Sequence, residues 1–304
     1  MAESATFKNY TWTVAADLRL PPDFASERQY AAIVCVHPAG GVKEQTAGLY
    51  AEKLADQGFV TSAYDATFQG DSAGEPRHLE NPHLRVEDVS AAIDYLTTLG
   101  YVDKERIGVL GVCAGGGYAT NAAVIDTRIK ALGTVSAVNY GQMYRHGWDN
   151  TAKPQDCLAL RDMSAMARTA EASGAPTQYL PTVPDSREDA AKSHADFAEA
   201  FDYYRTARAQ HRSAPGKMAT RSLAQLVSYD AFNNVELFLT QPVQIVAGSN
   251  AGTSWMSEDL FRRAASTQKD LLIVSGGTHM AMYDQPVLVE AALAKLVPFF
   301  QNNL

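Results

Sequence analysis

Short apolar runs alternate with longer amphipathic stretches over residues 1–138, a rhythm that predicts β-α units around a mostly parallel sheet. Residues 7–20 carry apolar side chains among polar ones up to Pro21 and Pro22, and they read as one or two edge strands. Residues 31–36 (AAIVCV) are continuously apolar, as a parallel strand covered on both faces must be. Further strands are predicted at 59–64, 106–110 and 130–138, with helices at 46–57, 85–99 and 114–125 and a long loop at 68–82. In the helix 85–99, Val89, Ala92, Ile93 and Leu96 share one face.

The rhythm then breaks. Residues 139–240 hold polar, Ala-rich helical pieces, such as 185–212, and no clear strand. It resumes with a strand at 243–247, a helix at 257–265, a strand at 271–274 and a helix at 286–300. An all-helical insertion between two parts of one sheet reads as a cap, and its flanks lack the Gly/Pro/Ser richness of a linker. The predicted organisation is an α/β core from 1–138 and 241–304 with a helical cap at 139–240. Tyr140, Tyr144, Trp148, Tyr203 and Tyr204 are the cap's candidates for a pocket wall.

The chemistry concentrates at 106–119 (RIGVLGVCAGGGYA), where a strand runs into Gly111-Val112-Cys113-Ala114-Gly115 and then a small-residue helix. This is the G-x-S-x-G elbow with Cys as its nucleophile. The turn closes only if the positions two before and two after the nucleophile lack side chains, and the helix N-terminus beyond it favours a thiolate or an oxyanion. The segment lacks the order of a dinucleotide fingerprint. Cys35 lies mid-strand and reads as packing, and Cys157 has no motif around it. A thiol needs a base. Of seven histidines, His279 in SGGTHMAMYD follows the strand 271–274 and precedes the last helix, the place and chain order of a triad histidine. His37 ends its strand before Pro38-Ala39-Gly40-Gly41 and reads as structural, with backbone N–H groups near Ala39 facing the chemistry. His78, His83 and His146 fall in loops, and His194 and His211 on a solvated surface.

The acid is unassigned by pattern. A carboxylate is expected within a few residues of the strand 243–247, and the sequence there, from Gly248 to Ser257, has none. Three readings stand: Glu258 (or its neighbour Asp259) swings in as the acid, an amide such as Asn139 orients His279, or Cys113 and His279 act as a dyad. Glu258 is the candidate acid, although an acidic first turn of a helix explains it equally well.

Composition narrows the partners. The chain has 304 residues, 46% apolar and 20% charged, with a formal net charge of −8. That balance argues against nucleic acid, and no stretch approaches the roughly 18 to 20 apolar residues of a transmembrane helix. Three cysteines are too few for a disulfide framework or a zinc site, and the N-terminus lacks a signal-peptide pattern. A reduced, cytoplasmic protein acting on a small acyl substrate is expected, with no metal or organic cofactor; a homodimer is left open.

On HPAGGVKEQ, YDATFQGDSAGEPR, LGVCAGGGYA and SGGTHMAMYD, the chain resembles the dienelactone-hydrolase-like branch of the α/β-hydrolases. More closely it is similar to a capped subgroup with relatives among polyketide-processing acyl hydrolases and transferases. The resemblance implies an α/β-hydrolase fold, Cys113 as nucleophile, His279 as base, and the N–H groups of Ala114 and Ala39 as oxyanion donors. It also implies an Asp where this chain has Gly252; in the family a carboxylate near the oxyanion loop influences the thiol, and Glu44 sits close to that place in sequence but reads as a surface residue at a helix start. Ester, thioester or lactone hydrolysis through an acyl-cysteine is the expected activity. An acyltransferase and a non-catalytic binding protein are the alternatives.

Overall fold

In the computed structural model, which describes residues 2–304, the strands are β1 (Ala2–Asn9), β2 (Trp12–Arg19), β3 (Tyr30–Val36), β4 (Val60–Tyr64), β5 (Val102–Val112), β6 (Ile129–Val135), β7 (Tyr179–Pro181), β8 (Lys217–Ala219), β9 (Val243–Gly248) and β10 (Lys269–Val274). Eight of them form one sheet in the order β1-β2-β4-β3-β5-β6-β9-β10. β1 pairs antiparallel with β2 and β2 with β4, and every later pair is parallel. All seven residues of β3 and all five of β4 are buried, which is why the apolar runs mark them so clearly. β1 begins five residues before the expected edge strand, because its outer half is exposed and carries no apolar signature.

Helices α1 (Thr46–Ala55), α2 (Pro82–Thr97) and α3 (Ala114–Ile125) form the crossovers. Asn81 caps α2 by accepting from the N–H groups of His83 and Leu84, and Pro82 at the first position suits its fixed φ. After β9, α10 (Ser254–Arg263), α11 (Ala281–Asp284) and α12 (Pro286–Asn303) complete the core.

Between β6 and β9 lie α4 (Tyr140–His146), α5 (Leu158–Ala172), α6 (Arg187–Ala191), α7 (Ala195–Arg205), α8 (Leu223–Ser228) and α9 (Val235–Phe238). The segment is not all-helical as expected: β7 and β8 pair antiparallel in a small second sheet. Each has three residues, too few for an alternating pattern to emerge from sequence. Arg208 joins this segment to the core by hydrogen bonds to Asp284 on α11, the shorter 2.6 Å, and by one of 3.2 Å to the carbonyl of Met280. The Ala219 N–H reaches the carbonyl of His78, and Gln45 reaches the carbonyl of Ala209. No helix among the described residues is long and apolar enough to cross a membrane.

Candidate active site

β5 ends at Val112 and α3 starts at Ala114, so the chain reverses at Cys113 alone. Cys113 has φ 56° and ψ −126°, a region that costs a non-glycine residue about 1–3 kcal/mol and persists only where neighbours over-determine it. They do so here. The Cys113 N–H donates to Val135, and its carbonyl accepts from Gly116 and Val138, all between 2.8 and 3.0 Å. A Cβ on Gly111 would overlap the Gly115 carbonyl, and one on Gly115 would overlap the Val36 carbonyl. The two glycines are there because backbone occupies the space of a side chain.

Cys113 is 8% exposed, and burial pushes its pKa up to about 11, against the opposing influence of Tyr283 and of the Ala114 N–H. The Cys113 thiol is held neutral, so burial outweighs the thiolate-favouring helix N-terminus expected from the motif.

His279 is fully buried at the turn before α11, but it does not meet the thiol directly. Its Nε2 lies 3.0 Å from the Tyr283 hydroxyl, and Tyr283 lines the same cavity as Cys113. Tyr283 stands four residues beyond His279, one turn on, which places both rings on one side of the segment. Nδ1 lies 2.6 Å from Thr253 Oγ1. With Nδ1–H donating to Thr253, Nε2 is left to accept from Tyr283. Burial pushes the imidazole down to about 4, and the carboxylate of Asp196 pulls the other way.

Asp196 sits in the first turn of α7 and is 2% exposed. Its Oδ2 accepts from Trp148 Nε1 at 2.6 Å and from the Gly252 N–H at 2.8 Å. The Trp148 ring packs edge-on against His279, with centroids 4.7 Å apart. Glu258, the carboxylate chosen from sequence, is exposed on α10 and borders a separate surface groove with His146 and Arg262. Asp259 is held by Arg262 and Arg263. Neither is brought to His279: Glu258 faces solvent, and Asp259 is taken up by its two arginines. Asn139 is equally committed elsewhere: its amide donates to Asp230 and its oxygen accepts from the Ala231 N–H.

A cavity of about 210 Å³ opens on Cys113 and is walled by Ala39, Tyr140, Tyr144, Trp148, Phe197 and Tyr204, among others. None of its lining side chains carries a charge. Tyr203, the fifth expected wall residue, packs instead against Tyr283 and beneath Arg208. His37 is structural as read: its ring nitrogens bond the Pro38 carbonyl and the Ala66 N–H, which braces the loop carrying Ala39. Glu44 lies with Asp65 and Asp71 around the ammonium of Lys43, not at the thiol. Those three carboxylates converge on that one ammonium. Cys35 is buried in β3, and Cys157 donates to the carbonyl of Pro154.

The chain is 52% identical over 296 residues to the uncharacterized protein YcjY of Escherichia coli, covering 97% of this chain and 96% of that one. It is 32% identical over 303 residues to the uncharacterized protein PA2218 of Pseudomonas aeruginosa, covering 98% and 80%. The crystal structure of PA2218 superposes with a TM-score of 0.90 over all of this chain and 94% of that one. A shorter stretch, 36% of this chain and 34% of the relative, is 30% identical to Thiohydrolase aneE of Aspergillus aculeatus. The family model described as the Alpha/beta hydrolase family matches residues 33–292, from within β3 through the inserted segment to α12, and this chain belongs to that family.

Proposed function

We propose that this hydrolase cleaves small to medium, uncharged esters, thioesters or lactones through an acyl–Cys113 intermediate, in the manner of the dienelactone-hydrolase-like branch. The observation that carries the reading is the placement of Cys113, alone at a glycine-flanked elbow, on the wall of a cavity without charged side chains. A carboxylate-bearing substrate would have no cation to meet there, and removing its charge from water is costly. The thiohydrolase name of the partial relative agrees with acyl chemistry at sulfur.

The thiol proton passes to the Tyr283 oxygen as the Tyr283 proton passes to His279 Nε2, and sulfur adds to the carbonyl carbon. The Ala114 and Ala39 N–H groups are the donors proposed for the resulting oxyanion. Collapse breaks the carbon–heteroatom bond, and the leaving group takes the proton back from His279 through Tyr283. Water then adds to the acyl-cysteine with the same proton acceptor, and collapse releases the acid and the neutral thiol. Residues 139–240 act as the cap of this site, since Tyr140, Tyr144, Trp148 and Tyr204 all come from it. The low exposure of Cys113 beneath them also favours a second reading, acyl transfer to an alcohol or amine, because an enclosed acyl-cysteine is shielded from water.

Intact-protein mass spectrometry after mixing with a panel of 4-nitrophenyl esters, acyl thioesters and lactones tests the reading. One acyl mass on Cys113 is expected, with none in Cys113→Ala. Full turnover by Cys113→Ala would sink it. Product analysis with and without a nucleophilic acceptor separates hydrolysis from transfer.

A further inference from the structure

We propose that Asp196, carried by α7 of the inserted segment, is the positioning carboxylate of His279, standing where the turn after β9 supplies none. The inference rests on the pairing of Cys113 with His279 proposed above and adds the third member.

In this fold the acid is expected just after the strand that is β9 here, and that turn reads Gly248-Ser249-Asn250-Ala251-Gly252-Thr253. Gly252 leaves a space that another side chain enters: a Cβ built on it would lie 3.0 Å from Asp196 Oδ2 and 2.7 Å from Trp148 Cδ1. The carboxylate arrives from a different element and occupies the room vacated at the turn. It does not touch the imidazole; it holds what does. Oδ2 fixes the Gly252 N–H, and the next residue, Thr253, meets His279 Nδ1. The same oxygen fixes Trp148, whose ring packs against His279. Two sides of the imidazole are therefore set by one buried carboxylate, whose negative charge also favours the imidazolium that forms during acylation.

The titratable groups facing His279 are Tyr283, Cys113 beyond it, and Asp196. Around them, His194 lies 3.8 Å from Asp196, Glu199 accepts from Thr278, and Arg208 is paired with Asp284. Among the causes that act on the His279 pKa, the Asp196 carboxylate is the charge that raises it against burial. Because the acid belongs to the inserted segment, the catalytic arrangement is complete only when α7 is docked.

The test compares Asp196→Asn, Asp196→Ala, Cys113→Ala and the double variant Asp196→Ala/Gly252→Asp with the wild type, using 4-nitrophenyl butyrate as the probe. Asp196→Asn is expected to lower kcat by about 10- to 100-fold, the order attached to a small misplacement of a catalytic group, with KM within about threefold. The acid limb of its kcat–pH profile should move to lower pH, since removing the negative charge lowers the His279 pKa further. A purely structural lesion would not move the limb in that direction. The double variant returns a carboxylate to the turn and is expected to recover about tenfold or more over Asp196→Ala alone. Wild-type kcat and an unmoved limb in a folded Asp196→Asn protein would overturn the proposal. So would a folded double variant without recovery, and that arm decides the matter if the single variant does not fold. If Cys113→Ala stays active, the cysteine mechanism itself fails; if only the Asp196 variants stay active, the failure is confined to the third member.

Discussion

At Cys113 the backbone is strained so that the thiol stands clear of β5, and the cost is met by close backbone packing at Gly111 and Gly115. Gly115→Ala should therefore lower stability by on the order of 3 kcal/mol, read from the urea midpoint, because the new methyl meets the Val36 carbonyl and backbone cannot retreat as a side chain can. Gly100→Ala is the control: nothing lies within 4 Å of its Cβ position, and a change beyond about 0.5 kcal/mol there would undercut the steric argument. Tyr283 poses a sharper question, since its hydroxyl meets His279 Nε2 and its side chain lines the cavity with Cys113. If it relays the proton, Tyr283→Phe should slow the acylation burst by about 10²-fold, the lower range for a general acid–base group. If it merely keeps the two apart, the burst should stay level or quicken. The His279–Tyr283 spacing of four was visible in the sequence, but which hydroxyl meets a given nitrogen depends on rotamers that only packing selects.

Among the elements, α7 has the most consequences, because one side of it walls the cavity through Phe197 and Ala200 while its first turn supplies Asp196. Its C-terminal end is tied down by Arg208, which pairs with Glu199 on α7 and Asp284 on α11 and is only 18% exposed. Arg208→Ala should cost about 1–2 kcal/mol, between the values for exposed and buried pairs, and should expose residues 139–240 to limited proteolysis before the core yields. Core and insertion digested at equal rates would deny α7 this independent hinge-like release. The wall aromatics give a second measurement. Trp148→Ala should alter acyl-chain preference and also slow turnover, as it removes both a cavity wall and a support of His279. Tyr140→Ala should alter preference alone.

For the whole molecule, burial of histidines sets an acid limit. His37 and His279 are both fully buried with pKa values pushed down, His37 well below 6.5 and His279 to about 4. Their folded-state values are depressed, so the unfolded chain takes up protons first as pH falls below about 6.5. Stability is complete above that pH and is lost on the way down to about 4, by up to ~1.4 kcal/mol per pH unit for each histidine. Buried Asp65 and Asp88 act in the opposite sense, their carboxyl pKa values being raised by burial, so the loss is best read on the neutral side of the histidine window. Urea midpoints at pH 7, 6 and 5 should decline, and His279→Gln should flatten the slope by one histidine's share. A level midpoint across that window would contradict neutral burial.

The β-α rhythm, the break at 139, the elbow at Cys113 and the place of His279 were all legible in the sequence, because each is written in neighbouring residues. A central strand shows as an apolar run, and a closed elbow demands glycine on both sides of its nucleophile. The inner strands were found to within a few residues; the outer half of β1 and the three-residue β7 and β8 were not, since exposure or shortness removes the pattern. Which carboxylate lies near His279, the tyrosine that meets its Nε2 and the neutral state of the thiol were decided only by tertiary structure. Glu258 and Asp196 look alike in sequence, each an acidic residue near a helix start. One faces water and the other is buried beside Trp148 and Gly252, a difference set by what packs against each residue and not by its neighbours in sequence. The thiol is neutral for the same reason: a helix N-terminus is a local property, whereas desolvation comes from everything packed above it.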